Sequence, residues 1–178
     1  KTNYDTIQES LEQNCKRKLA EETISTIKSE ITYSLKTKGS NIETDLVLKS
    51  LSISVLTFIE AKTESYFDKK KKVMYSISYA PKAKNYGMWV NLLENKSKEL
   101  VKICANLLEP ISPIKSNNRL YLLAKNLYIE TNCEYYKLLA IYKKIKEEDV
   151  VEQYENAKNL FYKIEKLIDV FVWSLYFP

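Results

Sequence analysis

The stretches EETISTIKSEITYSLK (residues 21–36) and KKKKVMYSISYAP (residues 69–81) decide the fold that this sequence predicts. Apolar residues recur every three or four positions up to about Ser25, alternate with polar residues around Ile31 and again after Val73, and then return to helical spacing. A two-residue period indicates a strand with one buried face, and a period near 3.6 indicates a helix. The order helix, strand, helix, hairpin and further helices predicts an α+β protein.

The predicted architecture has two units. Residues 1–109 form an α+β domain in which a small antiparallel sheet of about three strands packs with two or three helices. Residues 114–178 form an all-α C-terminal extension, a helical hairpin plus a closing helix, which packs on that domain. Pro110 and Pro113 mark the boundary, because proline interrupts helices and is common in linkers.

The first unit is predicted to begin with a helix over about residues 5–25, which carries an apolar stripe. A strand follows at 30–36, where Ile31, Tyr33 and Leu35 alternate with polar residues. This alternation is typical of a strand with one face buried and one face in water.

A second helix and a β-hairpin follow in the first unit. Ser40-Asn41-Ile42-Glu43 matches a capping box and predicts a helix that carries the apolar residues of 46–56. Residues 58–67 and 73–80 flank the turn at 68–72 and predict the hairpin. Its second strand has two rows of side chains on opposite faces: Val73, Tyr75, Ile77 and Tyr79 on one, and Met74, Ser76, Ser78 and Ala80 on the other.

The rest of the chain is predicted to be helical. A long helix covers about residues 83–109, and at ~40 Å it is longer than a short hairpin, so one end must contact something else. Two short antiparallel helices follow, over about 118–130 and 135–145, separated by a break at 131–133. A capping signature at 149–152 begins the closing helix.

The composition excludes most familiar catalytic chemistry. The chain has no histidine, which removes the usual zinc, haem and non-haem iron ligands and the histidine-activated nucleophiles. With only Gly39 and Gly87, neither a P-loop nor a Rossmann turn can be built, so no cofactor, metal or catalytic site is predicted. The net charge of +5 comes almost wholly from lysines interleaved with acidic residues, which argues against nucleic-acid binding.

The three cysteines, Cys15, Cys104 and Cys133, are too widely spaced for a disulfide framework or a metal knuckle. Cys15 and Cys104 lie at apolar helical positions, which predicts buried free thiols, with a disulfide or a reactive thiol as alternatives. The chain opens at Lys1 without methionine, and no apolar run reaches the ~20 residues that span a bilayer. A signal peptide or lipid anchor is therefore expected upstream, if the protein has one.

One family shares this outline of elements. Leu19-Ala20 and Ile24 on a helix lead into the predicted strand at 30–35, then into a helix and a hairpin that ends in VMYSISY (73–79). Over about residues 7–102 the chain resembles the Lpp-twenty family of bacterial envelope lipoproteins and is similar to the related N-terminal domain of the flagellar T-ring protein. The resemblance implies an α+β domain, a periplasmic or lipid-anchored location in the cell envelope, and a non-catalytic role in envelope or flagellar-motor assembly or in adhesion.

The leading functional hypothesis is a non-enzymatic cell-envelope scaffold that binds a protein partner or self-assembles. Aromatic side chains suit such an interface because they bury large areas at a small entropic cost. The predicted partner-binding residues are Phe171, Trp173, Tyr176 and Phe177. Contact with a membrane is expected only through an unseen N-terminal anchor.

Two alternatives stay open. A binding module for anionic polymers or membrane surfaces would use the lysines of the hairpin turn, although a solvated tip explains the same lysines. Its anion-binding residues would be Lys69, Lys70, Lys71 and Lys72, together with Lys16, Arg17 and Lys18. An enzyme would need a carboxylate pair such as Glu60 and Glu64, which nothing singles out from the 23 acidic residues.

Overall fold

The computed structural model describes residues 3–36, 61–109 and 118–176, with side chains over 4–33, 61–109 and 118–168. In these ranges the chain forms the elements α1 (Asn3–Lys36), β1 (Lys62–Asp68), β2 (Val73–Tyr79), α2 (Lys82–Leu108), α3 (Asn118–Tyr142) and α4 (Glu148–Tyr176). The α+β prediction is confirmed at this coarse level, since a mostly helical chain carries an antiparallel hairpin. The helix predicted to start at Ser40 lies outside the described residues.

The predicted strand at 30–36 is wrong, because α1 continues as a helix to Lys36. Ile24, Ile27 and Ile31 continue the helical spacing, and Ile27 and Ile31 are completely buried against α3. The alternation read as a strand arises because residues such as Tyr33 fall on the exposed side of the same helix. The described residues therefore form two strands rather than about three.

The β-hairpin is confirmed. β1 and β2 pair antiparallel in a continuous register that runs from Lys62 opposite Tyr79 to Asp68 opposite Val73. The four residues 69–72 close the turn. Pro81 follows the hairpin, and α2 begins at the next residue.

The long helix α2 is also confirmed, and it packs on α3 and α4. Two clusters of buried side chains fill the space between these three helices. One is centred on Leu100, Cys104, Ala124, Tyr128, Ala157 and Phe161, and the other on Trp89, Leu93, Leu138, Val150 and Tyr154. These apolar clusters hold α2, α3 and α4 together as a helical bundle.

α3 is one continuous helix, so the predicted break at 131–133 and the two short helices on either side of it are wrong. The Thr131 hydroxyl donates a hydrogen bond of 2.6 Å to the carbonyl of Leu127 within the helix. Asn132 Oδ1 accepts a hydrogen bond of 2.6 Å from the Tyr154 hydroxyl of α4. Residues with low helix propensity are tolerated here because one hydrogen bond within the helix and one from α4 satisfy their polar groups.

A buried ion pair lies on α3. Lys137 Nζ is 3.0 Å from both carboxylate oxygens of Glu134, and both side chains are almost fully buried. Lys96 of α2 approaches Glu134 at 3.9 Å and pairs with Glu130 at 2.7 Å. Burial lowers the pKa of the Lys137 ammonium, although Glu134 opposes the change. The Glu134 carboxylate thus links α2 to α3.

The closing helix predicted from the capping signature at 149–152 is confirmed as α4, which begins at Glu148. The two-unit division stays a prediction. Both apolar clusters of the bundle combine residues of α2, from the first predicted unit, with residues of α3 and α4, from the second. α1 also contacts α3, through Ile27 and Ile31.

Candidate binding surface on the β-hairpin

One face of the hairpin is lined with hydroxyl groups that pair across the strands. Thr63 Oγ1 lies 2.7 Å from Ser78 Oγ, and Ser65 Oγ lies 2.6 Å from Ser76 Oγ. These pairs follow from the register, which sets Thr63 opposite Ser78 and Ser65 opposite Ser76. Small side chains in this row allow a helix to approach the sheet closely.

That helix is α1, which covers the hydroxyl face. Ser65 Oγ donates a hydrogen bond of 2.9 Å to Glu12 Oε1, and Cys15 Sγ donates one of 3.3 Å to the Ser76 carbonyl. Nearer the turn, the Tyr4 ring meets the Phe67 ring edge-on at 5.0 Å. Hydrogen bonds from Gln8 and then Ser65 lower the pKa of the Glu12 carboxyl. The polar face of the hairpin is therefore the one that packs on the protein.

The opposite face, here called the outward face, carries the large apolar side chains. It consists of Lys62, Glu64, Tyr66, Asp68, Val73, Tyr75, Ile77 and Tyr79. Tyr66 is 67% exposed, Ile77 61%, Tyr75 48%, Val73 42% and Tyr79 40%. Single exposed apolar residues are ordinary, but five on one small sheet face mark a surface suited to an interaction.

The lysine turn, Lys69, Lys70, Lys71 and Lys72, lies at the end of the outward face. All four lysines are exposed. Asp68 Oδ1 accepts hydrogen bonds from the backbone N–H groups of Lys70 at 2.9 Å and Lys71 at 3.1 Å. Lys72 has a positive φ of 53°, which lets the chain turn back and begin β2. The backbone thus holds four ammonium groups at one tip.

The lysine turn is the most positive part of the hairpin, although several carboxylates lie near it. Asp68 is engaged by the turn backbone, and Glu64 accepts a hydrogen bond of 2.7 Å from the Tyr79 hydroxyl near the base of the hairpin. That bond to Glu64 raises the pKa of Tyr79. Asp5 and Glu9 lie on the first turns of α1, towards the tip, and reduce the net charge there.

The other basic group considered in the sequence lies further back on α1. Tyr4 is level with the tip, and Arg17 is thirteen positions later, which places it ~20 Å away along the helix. Lys16, Arg17 and Lys18 are exposed, and Arg17 Nη1 is 3.8 Å from Glu21. The structure therefore does not bring this group together with the lysine turn.

The remaining candidate residues lie partly outside the described side chains. Phe171, Trp173 and Tyr176 belong to α4, but their side chains are not described, and Phe177 and Glu60 are outside the described residues. The prediction that the C-terminal aromatic residues bind a partner therefore stays a prediction.

All three cysteines are free thiols. Cys104 is completely buried, as predicted, and burial raises its pKa to about 11. Cys133 is buried as well, against α1, whereas Cys15 is only half-buried, so the prediction of a buried thiol is wrong there. Cys15 is therefore the most accessible of the three.

Within the described ranges, no group of acidic, cysteine or histidine side chains is arranged to hold a metal ion. None of the helices described is long and apolar enough to cross a membrane. No known protein family, no curated protein and no solved structure matches the chain. The resemblance to envelope lipoproteins thus receives no support from these comparisons.

Proposed function

We propose that this protein is a non-enzymatic binding module for polyanionic surfaces and that its lysine turn is the contact point. One observation carries the proposal: four consecutive exposed lysines lie at the tip of a hairpin whose backbone fixes their position. A charged tip at the end of a strand pair can reach an extended anionic surface without displacing any core contact.

The expected strength follows from the number of ammonium groups. A lysine close to an anionic surface contributes about 1 kcal/mol, which is about fivefold in affinity. Four such contacts would give measurable binding at low salt. Binding should weaken steeply with salt, because each contact releases condensed counterions.

The test compares two variants with the same net charge. In the tip variant, Lys69, Lys70, Lys71 and Lys72 are replaced by Gln. In the control variant, four exposed lysines of the bundle are replaced by Gln: Lys102, Lys144, Lys163 and Lys166. We expect the tip variant to lose heparin affinity by about fivefold per lysine and the control to stay near wild type. Equal losses in both variants would contradict the proposal.

The cell-envelope role implied by the family resemblance is a separate proposal. It predicts a periplasmic or lipid-anchored protein that binds a protein partner or a second copy through Phe171, Trp173, Tyr176 and Phe177. A polyanion-binding tip is compatible with that location and does not depend on it. Cell fractionation of the full-length protein tests the location independently of the lysine turn.

A further inference from the structure

We infer that the polyanionic surface is an anionic lipid bilayer, and that the outward face of the hairpin lies in its headgroup region. This inference rests on the proposed function, because it assigns the partner of the same lysine turn. It adds a second contact, made by apolar side chains, that a soluble anionic polymer would not use.

The first argument is the direction of the apolar side chains. The hairpin turns its hydroxyl row towards α1 and leaves Tyr66, Tyr75 and Ile77 at the surface, each about half exposed or more. Burial would remove the apolar area of these side chains from water. The boundary with the acyl chains of a bilayer can bury them in this way, whereas a hydrated sugar or phosphate polymer cannot. The face is therefore suited to a partner that is both anionic and apolar.

The second argument is the chemistry of these residues. Tyrosine has an apolar ring and a hydroxyl group, and it is enriched at the boundary between lipid and water for that reason. Tyr66 and Tyr75 are cross-strand partners, so two tyrosines occupy adjacent positions on this face. Lysine adds a long apolar stem below its ammonium group and can reach phosphate from the same depth.

The third argument is the gradient along the outward face. Tyr66, Val73 and Tyr75 occupy the half next to the lysine turn. Lys62 and Glu64 lie in the half nearer Pro81, where Glu64 is hydrogen-bonded to Tyr79. The other carboxylate of this face is Asp68, opposite Val73 next to the turn, where its Oδ1 accepts hydrogen bonds from the backbone N–H groups of Lys70 and Lys71. The lysine turn and the tyrosine pair beside it therefore place the tip of the hairpin deeper in the headgroup region than its base.

The test uses two probes, phosphatidylcholine vesicles that contain phosphatidylglycerol and heparin without lipid. The face variant is Tyr75→Thr with Ile77→Thr, because threonine is itself favoured in strands. The control variant is Leu122→Gln with Leu123→Gln, which removes two exposed apolar residues from α3. We expect the face variant to bind anionic vesicles at least about tenfold more weakly and heparin as wild type does. The control should match wild type on both probes.

A gain of affinity provides a test that misfolding cannot mimic. Ile77→Trp places the side chain most favoured at a bilayer interface on the outward face. We expect several-fold tighter binding to anionic vesicles, unchanged heparin binding, and no binding of any variant to vesicles of phosphatidylcholine alone. Circular dichroism confirms that each variant is folded.

The outcomes separate this inference from the proposed function. Binding of wild type to heparin with none to anionic vesicles would overturn the lipid assignment and leave the polyanion-binding module intact. Binding to neither would overturn both. Equal vesicle affinity of wild type, the face variant and the Ile77→Trp variant would show that the apolar side chains make no contact with lipid, and would also overturn the inference.

Discussion

Ser65 Oγ donates a hydrogen bond of 2.9 Å to Glu12 Oε1, so a carboxylate of α1 is set into the hydroxyl row of the hairpin. Glu12 also accepts a hydrogen bond of 2.9 Å from Gln8 one turn earlier on α1. The hairpin is therefore held to α1 by polar contacts together with the Tyr4–Phe67 ring contact, and most of its large apolar side chains remain available on the other face.

We expect Glu12→Gln to lower the melting temperature at neutral pH, because the folded state keeps the Glu12 pKa below its ordinary value. A carboxyl with a lowered folded-state pKa stabilises the protein above its unfolded-state pKa, and that stabilisation is lost as the pH falls through the folded-state pKa. The difference between wild type and variant should therefore shrink below about pH 4. Thermal melts across the acid range measure it. A difference that stays constant with pH would contradict this role of Glu12.

The buried pair of Glu134 and Lys137 predicts an asymmetric response to mutation. Glu134→Leu alone should lower the free energy of unfolding by about 3–5 kcal/mol, because it leaves the buried Lys137 ammonium without its carboxylate. Glu134→Leu combined with Lys137→Met should restore most of that loss, since both charges are then gone. Urea denaturation of the single and double variants decides this point. A double variant no more stable than the single variant would show that the pair itself is needed.

The same pair predicts a pH effect on the alkaline side. The Lys137 pKa is lowered in the folded protein, so the unfolded chain binds more protons between the folded-state pKa and the ordinary lysine pKa near 10.4. Wild type should therefore gain stability relative to Lys137→Met as the pH rises through that range. Denaturation curves of the two proteins at neutral and alkaline pH measure the difference. A relative loss of stability would contradict the assigned direction.

Tyr154→Phe should destabilise the bundle by about 1–3 kcal/mol, because it leaves buried Asn132 Oδ1 without its donor. Tyr86→Phe removes a hydroxyl that donates to Glu147 nearer the surface and serves as the comparison. We expect the smaller effect there, since water can replace the lost partner. A similar loss of unfolding free energy in both variants would contradict the prediction that an unpaired Asn132 Oδ1 is the more costly of the two.

The cysteines should react in a fixed order. The half-buried Cys15 should be alkylated first in the native protein, and Cys104 and Cys133 only after unfolding. Burial raises the Cys104 pKa to about 11, so only about one thiol in ten thousand is ionised at neutral pH. Mass spectrometry of briefly alkylated native and denatured protein identifies the sites. Native labelling of Cys104 ahead of Cys15 would contradict the packing described.

The sequence pattern predicted the elements whose apolar residues keep a single period along their length. The hairpin and the helices α2 and α4 belong to this group, because their spacing has a single physical cause. At 30–36, however, the alternation arises within a helix that is buried through Ile27 and Ile31 and exposes Tyr33. At 131–133, contacts to Tyr154 and Leu127 satisfy polar side chains that propensity alone assigns to a break.

The candidate surface was predictable only in part. The lysine turn follows from the sequence, because four adjacent charges at a hairpin tip are solvated. Alternation places Tyr75 and Ser76 on opposite faces, but it does not say which face meets a helix. That choice depends on Glu12 and Cys15 of α1, which are more than fifty residues away in the chain. The turn length, which sets Ser65 opposite Ser76, is the one local signal for the hydroxyl row.

α1 lies under the hairpin at one end and against α3 at the other, so it acts as a rigid spacer. From Tyr4 at the tip to Ile24, where contact with α3 begins, it covers ~30 Å. This length of α1 separates the helical bundle from any surface that the tip contacts. Because α1 contacts both the hairpin and α3, a tilt of the hairpin would also displace the bundle. The length of α1 sets the size of that displacement.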